Sequence, residues 1–105
     1  MIVKWDNIAL DQLDQVADYI LESFGEKREN VFREQVLYAT QLLKLNPYMG
    51  ILDPLLTGRS QSYRSILINK LSKMVYYVDE EAKMIHISAF WDCRSEPLAQ
   101  AEHLL

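Results

Sequence analysis

The chain has 105 residues, half of them apolar and a quarter charged, and its formal net charge is −4. This length predicts a single domain, 1–105, with one modest core, and the acidic balance argues against non-specific nucleic-acid binding as the main activity. One cysteine excludes an internal disulfide and suits the reducing cytoplasm, where we expect the protein, and no apolar run approaches the ~20 residues of a membrane span.

The N-terminal segment predicts a strand followed by a helix. Ile2–Trp5 is a short β-rich run, which we expect to add a fourth strand at one edge of a sheet. Asp6 or Asn7 can cap the following helix, because their side-chain oxygens accept hydrogen bonds from free amides. Gly25 is a natural stop for it. The apolar face of this helix comprises Leu13, Val16, Ala17, Ile20, Leu21 and Phe24.

A second helix is predicted from about Glu26 to Leu45, and Pro47 follows its end. The single glycine between two amphipathic helices implies an antiparallel helical hairpin whose apolar side covers the sheet. We expect the second helix to be the more buried one. Its main stripe is Phe32, Val36, Ala39 and Leu43, which Val31, Tyr38, Leu42 and Leu45 widen. The stretch 48–62 is irregular, with room for one short helical turn.

Three β-rich runs follow, Tyr63–Ile68, Lys73–Val78 and Met84–Trp91. Their connections are so short that they predict an antiparallel meander. Alternation predicts one apolar face, which carries Met74, Tyr76, Val78, Ile85, Ile87, Ala89 and Trp91. The opposite face is mixed and offers a place to bind a partner; it carries Lys73, Val75, Tyr77, His86, Ser88, Phe90 and Asp92. Ile66, Leu67 and Ile68 are all apolar, so alternation leaves the register of the first run open.

The motifs of cofactor and metal chemistry are missing. Cys93, His86 and His103 lack the spacing of a metal site, and no glycine-rich loop follows a strand, so we expect neither metal nor cofactor. A Cys93–His86 nucleophilic pair is conceivable, although a lone cysteine is usually only a small residue. His86 is the better acid–base candidate, because it is expected near Lys73 and Tyr77, although a strand histidine is more often inert.

Charge is unevenly distributed along the sequence. Between Asp6 and Glu22 there are five acids and no base, whereas between Pro54 and Val78 there are four bases and no acid. We expect a negative helix and a positive patch on the sheet, or simply two solvated surfaces. The four bases are Arg59, Arg64, Lys70 and Lys73.

The predicted order β-α-α-β-β-β, with a short C-terminal helix opening at Ser95, resembles the RelE/ParE toxin superfamily of bacterial type II toxin–antitoxin modules, which includes plasmid stabilisation proteins. The resemblance covers nearly the whole chain. It is carried by Tyr63-Arg64, by Val75-Tyr76-Tyr77-Val78, by Ile85-His86-Ile87 and by the block 90–97, where aromatic residues precede Arg94 and Pro97; Pro47 and Gly50 fit the loop before the meander. The implied fold class is α+β, a helical hairpin packed on an antiparallel sheet.

The resemblance implies a toxin that a cognate antitoxin neutralises, and it leaves the target open. RelE-like members cut messenger RNA on the ribosome with several bases and a late tyrosine, whereas ParE-like members poison DNA gyrase. This chain has Leu98 near the place of that tyrosine, Ile66 in place of a second base, and an acidic balance that suits ribosome binding poorly. These departures favour a ParE-like toxin over an mRNA endonuclease or an inactive relative that only binds antitoxin.

The residues expected to bind target or antitoxin are Arg64, Lys73, Val75, Tyr77, Phe90 and Arg94. Should the chain be a nuclease, its catalytic candidates are Arg64, Lys73, Arg94 and His86. We expect Arg94 to lie beside Lys73 at one end of the sheet; a larger site would also include Arg64. The planar guanidinium of Arg94 would contact a carboxylate or phosphate there. The alternative for Arg94 is a local salt bridge with Asp92 or Glu96.

Overall fold

A computed structural model describes residues 1–92 and confirms the predicted α+β fold. The predicted C-terminal helix lies outside the described residues. In chain order the elements are β1 (Ile2–Trp5), α1 (Asn7–Phe24), α2 (Glu26–Leu45), β2 (Ile51–Leu52), a 3₁₀ turn (Pro54–Leu56), β3 (Arg64–Asn69), β4 (Ser72–Asp79) and β5 (Met84–Asp92).

The strands form one sheet in the order β1-β5-β4-β3-β2. The predicted meander β3-β4-β5 is antiparallel throughout. β1 lies at one edge, as expected, but it pairs with β5 in parallel, so the sheet is mixed rather than purely antiparallel. At the other edge, β2 is a strand that the sequence did not predict; its two residues pair with Ser65 and Arg64.

The two helices begin and end close to their predicted positions. Asp6 precedes α1, although its side chain makes no capping hydrogen bond, and Gly25 separates the helices with a φ of 90°. Five residues of α2 are buried, compared with two residues of α1, which confirms that α2 is the more buried helix. Its predicted wider stripe is wrong, because Val31, Tyr38 and Leu45 are exposed. None of the helices described is both long enough and apolar enough to cross a membrane.

The core has two parts, one on each face of the sheet. The larger part lies between the sheet and the helices; its buried members are Ala9, Ala17, Phe32, Val36, Ala39, Leu43, Met74, Tyr76, Ile85, Ile87 and Phe90. The smaller part lies on the opposite face, under the connection between β2 and β3; it comprises Leu56, Tyr63, Val75, Ala89 and Trp91. The predicted core positions of Met74, Tyr76, Ile85 and Ile87 are therefore confirmed.

A β-bulge in β5 makes the predicted faces of Ala89, Phe90 and Trp91 wrong. Val75 pairs with Ala89 while Tyr76 pairs with Ile87, so Ser88 is an extra residue. Because a one-residue insertion moves every later side chain to the other face, Ala89 and Trp91 lie opposite the helices. Phe90, predicted on the open face, instead packs in the helix-side core, with its ring centroid 5.7 Å from that of Phe32.

Gly50 occupies a place where no side chain fits. A Cβ built there would lie 2.8 Å from the Ser65 carbonyl oxygen and 2.8 Å from the Tyr76 hydroxyl oxygen, which accepts a hydrogen bond from the Gly50 amide. Gly50→Ala should therefore displace β2 and lower the free energy of unfolding by about 1–3 kcal/mol. Urea denaturation measures the change, with Gly58→Ala as a control for a glycine in open space, whose positive φ of 83° adds only local strain. Equal losses in both variants would contradict this packing.

Candidate binding face of the sheet

We call the side of the sheet away from the helices the open face; it carries Lys73, Val75 and Tyr77 of β4 and His86, Ala89 and Trp91 of β5. The connection between β2 and β3 covers one end of it, where Leu56 and Tyr63 pack on Val75 and Trp91. Val75 is consequently fully buried, so this predicted binding residue has no surface to offer a partner. The uncovered end is formed by Tyr77 and His86, both partly exposed.

Tyr63, Tyr77 and His86 form an aromatic row that starts at the buried Tyr63, in the covered end, and runs into the uncovered end. The rings of Tyr77 and His86 stack with centroids 4.8 Å apart, and Tyr63 meets Tyr77 edge-on at 5.7 Å. A cleft of about 260 Å³ lies beside this row. Its walls are Asp6, Ile8, Ser60, Gln61, Tyr63, Tyr77 and Ser88. The row and the cleft together make a surface that is part aromatic and part polar.

Burial is the main cause that raises the pKa of Tyr63 and of Tyr77 above the ordinary tyrosine value. The nearby Asp6 carboxylate raises both pKa values further, and Arg59 partly opposes the rise at Tyr63. Both phenols therefore remain protonated at neutral pH. In that state they can donate hydrogen bonds to a partner, but they do not act as phenolate bases.

Lys73 is partly exposed, and its ammonium group is bound to groups of the protein itself. Its Nζ donates a 2.8 Å hydrogen bond to Oδ2 of Asp53 and lies 5.1 Å from the centroid of the Trp91 ring. Burial raises the pKa of Asp53. The net effect is nevertheless a pKa below the ordinary aspartate value. The carboxylate is stabilised by hydrogen bonds from Lys73, the Leu55 amide and Ser65 and by the charge of Lys73, and these outweigh the effect of burial. The pair therefore ties the start of the 3₁₀ turn to β4.

Arg64 lies on the opposite side of the sheet from Lys73. Residues that pair directly across two strands point to the same face of the sheet. Arg64 pairs with Tyr76, whose side chain faces the helices. Lys73 pairs with Leu67, which lies three positions after Arg64 and therefore points to the other face. The Arg64 guanidinium donates a 2.8 Å hydrogen bond to the Gly50 carbonyl and packs over the Tyr48 ring. The structure thus does not bring Arg64 and Lys73 together at one end of the sheet.

The candidate residues are consequently separated. Tyr77 and His86 meet on the open face, Lys73 is bound to Asp53 at its covered end, and Phe90 belongs to the helix-side core. Arg94 and Cys93 lie outside the described residues, so their predicted roles stay predictions. Among residues 1–92 there is no group of histidine, cysteine and acidic side chains able to hold a metal ion.

Three important residues of this face were missed from the sequence. Asp53 had a signal, because an aspartate directly before a proline is typical of a residue that caps a helical turn, and its side chain accepts from the Leu55 amide. For Asp6 the sequence indicates only a helix cap. Tyr63 had no independent signal, because its face depends on the register of β3.

No protein-family model matches the sequence, and comparison with curated proteins gives no match either. Solved structures that are similar in fold include the following two. The first is described as the chromosomal ParDE TA system from P. aeruginosa; it is 17% identical with a TM-score of 0.69, over 88% of this chain and 95% of that one. The second, a YoeB/ParE toxin from Agrobacterium tumefaciens, is 17% identical with a TM-score of 0.61, over 88% and 98%. The predicted resemblance is thereby confirmed at the level of structure: the chain has the fold of these ParDE and YoeB/ParE structures.

Proposed function

We propose that the protein is the toxin of a bacterial type II toxin–antitoxin module and that a cognate antitoxin neutralises it. The observation that carries the proposal is the likeness of fold over nearly the full length of two structures whose descriptions name a toxin or a toxin–antitoxin system. The matches cover 88% of this chain, so they extend over the helical hairpin as well as the sheet. The function itself rests on this likeness together with the motifs of the sequence.

Within this function we propose the ParE-like mode, in which the toxin inhibits growth by binding a target such as DNA gyrase. Cleaving a phosphodiester requires several positive groups aimed at one phosphate. Arg64 and Lys73 lie on opposite faces, and each already has a partner within the protein. The described part of the chain therefore supports a binding module better than a basic catalytic cluster.

A RelE-like endonuclease is the second candidate. The aromatic row favours it, because Tyr77 and His86 are stacked beside a polar cleft and both can donate hydrogen bonds. A nuclease built on them would need its positive charge from Arg94 or from the ribosome. An inactive relative that only binds antitoxin is the third possibility, and a growth assay separates it from the other two.

Controlled expression in bacteria tests the proposal. We expect induction of the wild-type chain to stop growth, and co-expression of the neighbouring small reading frame to restore it. Co-purification of the two products on one column checks that the rescue is direct. A chain that is harmless at high expression and purifies without a partner would contradict the proposal.

Arg94→Ala should abolish growth inhibition while leaving Tm within a few degrees, because the alternative role for Arg94, a local ion pair, contributes only about 0–1 kcal/mol when it is exposed. Arg94→Lys should restore inhibition only in part, since lysine keeps the charge but loses the planar fork. Lys27→Ala, which removes an exposed positive charge from α2, is the matched control and should remain toxic. If Arg94→Ala stays fully toxic, the site lies elsewhere; if it unfolds the protein, the arginine is structural.

A further inference from the structure

A carboxylate without a partner lies in the wall of the cleft beside the aromatic row. The cleft has a volume of about 260 Å³, and Asp6 is the only one of the described residues lining it that carries a formal charge. Within the described part of the chain, the Asp6 side chain makes neither a capping hydrogen bond with α1 nor an ion pair with the exposed Lys4. Its charge is therefore available to a group that enters the cleft.

The backbone holds this carboxylate in a fixed place. The Asp6 amide donates a 2.9 Å hydrogen bond to the Ile87 carbonyl, and the Asp6 carbonyl accepts one of 3.0 Å from the Leu10 amide. Ile87 directly precedes Ser88, the extra residue of the bulge, and Ser88 also lines the cleft. β-bulges are frequent next to functional sites, where they redirect a side chain. Walls that are fixed in this way lose little entropy when a ligand binds.

The electrostatic environment of the cleft is negative. Burial is the main cause of the raised pKa of Tyr63 and of Tyr77, but the Asp6 carboxylate contributes to both, and Asp79 adds to the rise in the pKa of Tyr77. Arg59 opposes the rise only at Tyr63, where its effect is smaller than that of Asp6. The cleft should therefore repel a phosphate or carboxylate and attract a cation.

The chemistry of the walls favours a planar cation. The cleft combines the Asp6 carboxylate with the rings of Tyr63 and Tyr77 and with the side-chain oxygens of Ser60 and Ser88. A guanidinium group can direct its fork of N–H donors at a carboxylate while its flat faces pack against aromatic rings. An ammonium group offers the charge without the plane or the fork. The walls therefore suit the end of an arginine side chain better than that of a lysine.

The surroundings of the cleft indicate that this arginine belongs to a protein chain. Sites for separate small molecules usually have about 300–1,000 Å³ and bury most of the ligand. This cleft is smaller, and three of its walls, Ile8, Ser60 and Gln61, are exposed. The partly exposed, stacked rings of Tyr77 and His86 extend the surface beyond it. A residue next to the arginine would pack on these two rings and supply the contact area that the cleft lacks.

We propose that the cleft binds an arginine side chain of a partner protein. The guanidinium would lie on the Asp6 carboxylate and against the tyrosine rings, and an aromatic or apolar neighbour of the arginine would pack on Tyr77 and His86. This binding does not depend on the toxin function proposed above, because it requires only the cleft and its walls.

The first test titrates the purified chain with the blocked dipeptide acetyl-Arg-Trp-amide and follows the amide NMR signals. We expect a dissociation constant of about 1 mM, with changes in the signals of Asp6, Tyr77 and Ser88. Replacing arginine with citrulline, which is neutral and has the same shape, should abolish binding, and replacing it with lysine should weaken binding at least about threefold. Equal binding of the citrulline peptide, signal changes confined to the rest of α1, or no binding at about 20 mM would overturn the proposal.

The second test changes the protein. Asp6→Asn removes the charge, and asparagine is as good as aspartate before a helix, so the fold should be retained. Asp18→Asn is the matched control, because it removes an exposed acid from the same helix about 18 Å away. We expect Asp6→Asn to lose at least about fivefold in peptide affinity and Asp18→Asn less than about twofold. Equal losses would mean that the peptide responds only to net charge and would overturn the site. If Asp6→Asn fails to fold, the citrulline peptide probes the same contact in the wild-type chain.

Methylguanidinium distinguishes the side chain of a partner from a free small cation. We expect it to compete with the peptide but to bind at least about tenfold more weakly, because it has no neighbouring residue to pack on Tyr77 and His86. Equal affinities would overturn the assignment to a protein partner. A chain that is harmless in the growth assay yet binds the arginine peptide in the cleft would contradict the toxin function and support this site.

Discussion

Phe90→Ala should lower the free energy of unfolding by about 3–5 kcal/mol, the usual loss for a fully buried phenylalanine. The Phe90 side chain is 1% exposed and lies between Trp5 and Phe32, with ring centroids 6.4 and 5.7 Å away. Its amide also donates to Oε1 of Gln12 on α1. Truncation would therefore open a cavity where β1, β5 and both helices meet.

Phe24→Ala is the matched control, because this phenylalanine is 58% exposed at the end of α1. We expect it to change stability by less than about 1 kcal/mol. Urea denaturation of both variants measures the difference. Similar small losses in the two would place Phe90 on the open face, as simple alternation along β5 predicts, and would contradict the bulge at Ser88.

Lys73→Met should cost about 3 kcal/mol, because it leaves the buried Asp53 carboxylate without its ionic partner. The double variant Asp53→Asn with Lys73→Met should recover part of this loss, since it removes the unpaired charge. Thermal and urea denaturation measure the three proteins. Growth inhibition lost by Lys73→Met but restored in the double variant would assign the effect to folding rather than to target contact.

The same pair gives a dependence on pH. The pKa of Asp53 is lowered in the folded protein, so its contribution to stability is present above the unfolded value of about 3.9 and is lost as the pH falls through the folded value. In Lys73→Met the lone buried carboxyl should have a raised pKa, and acid should favour its folded state. The stability gap between wild type and Lys73→Met should therefore narrow as the pH falls, first above about pH 4 as the carboxyl of the variant is protonated, and further below it as Asp53 of the wild type is protonated; a constant gap would contradict the ion pair.

The sequence was sufficient for the elements whose signals are local. Gly25 separates the two amphipathic helices, and Pro47 comes two residues after the end of the second one, so the bounds of α1 and α2 were predictable. The short connections after Asn69 and Asp79 likewise leave no alternative to an antiparallel meander. The parallel pairing of β1 was not predictable, because it depends on how the helical hairpin crosses the sheet.

The candidate site was predicted less well, because its geometry depends on single-residue shifts in register. The extra residue Ser88 exchanges the faces of Phe90 and Trp91, and no glycine or proline marks the bulge. Alternation correctly predicted that Tyr77 and His86 share one face, because both residues come before the bulge at Ser88. The pairing of Lys73 with Asp53 depends on the path of an irregular connection, which periodicity does not describe.

We propose that this chain inhibits growth by binding a protein target, and the purified 105-residue protein tests the proposal in two parallel assays. One follows supercoiling of relaxed plasmid by DNA gyrase, and the other follows the integrity of messenger RNA on translating ribosomes. We predict that the protein inhibits supercoiling, that added antitoxin relieves the inhibition, and that the messenger RNA remains intact. Cleavage of ribosome-bound messenger RNA with unimpaired supercoiling would contradict the claim and would establish the endonuclease in its place.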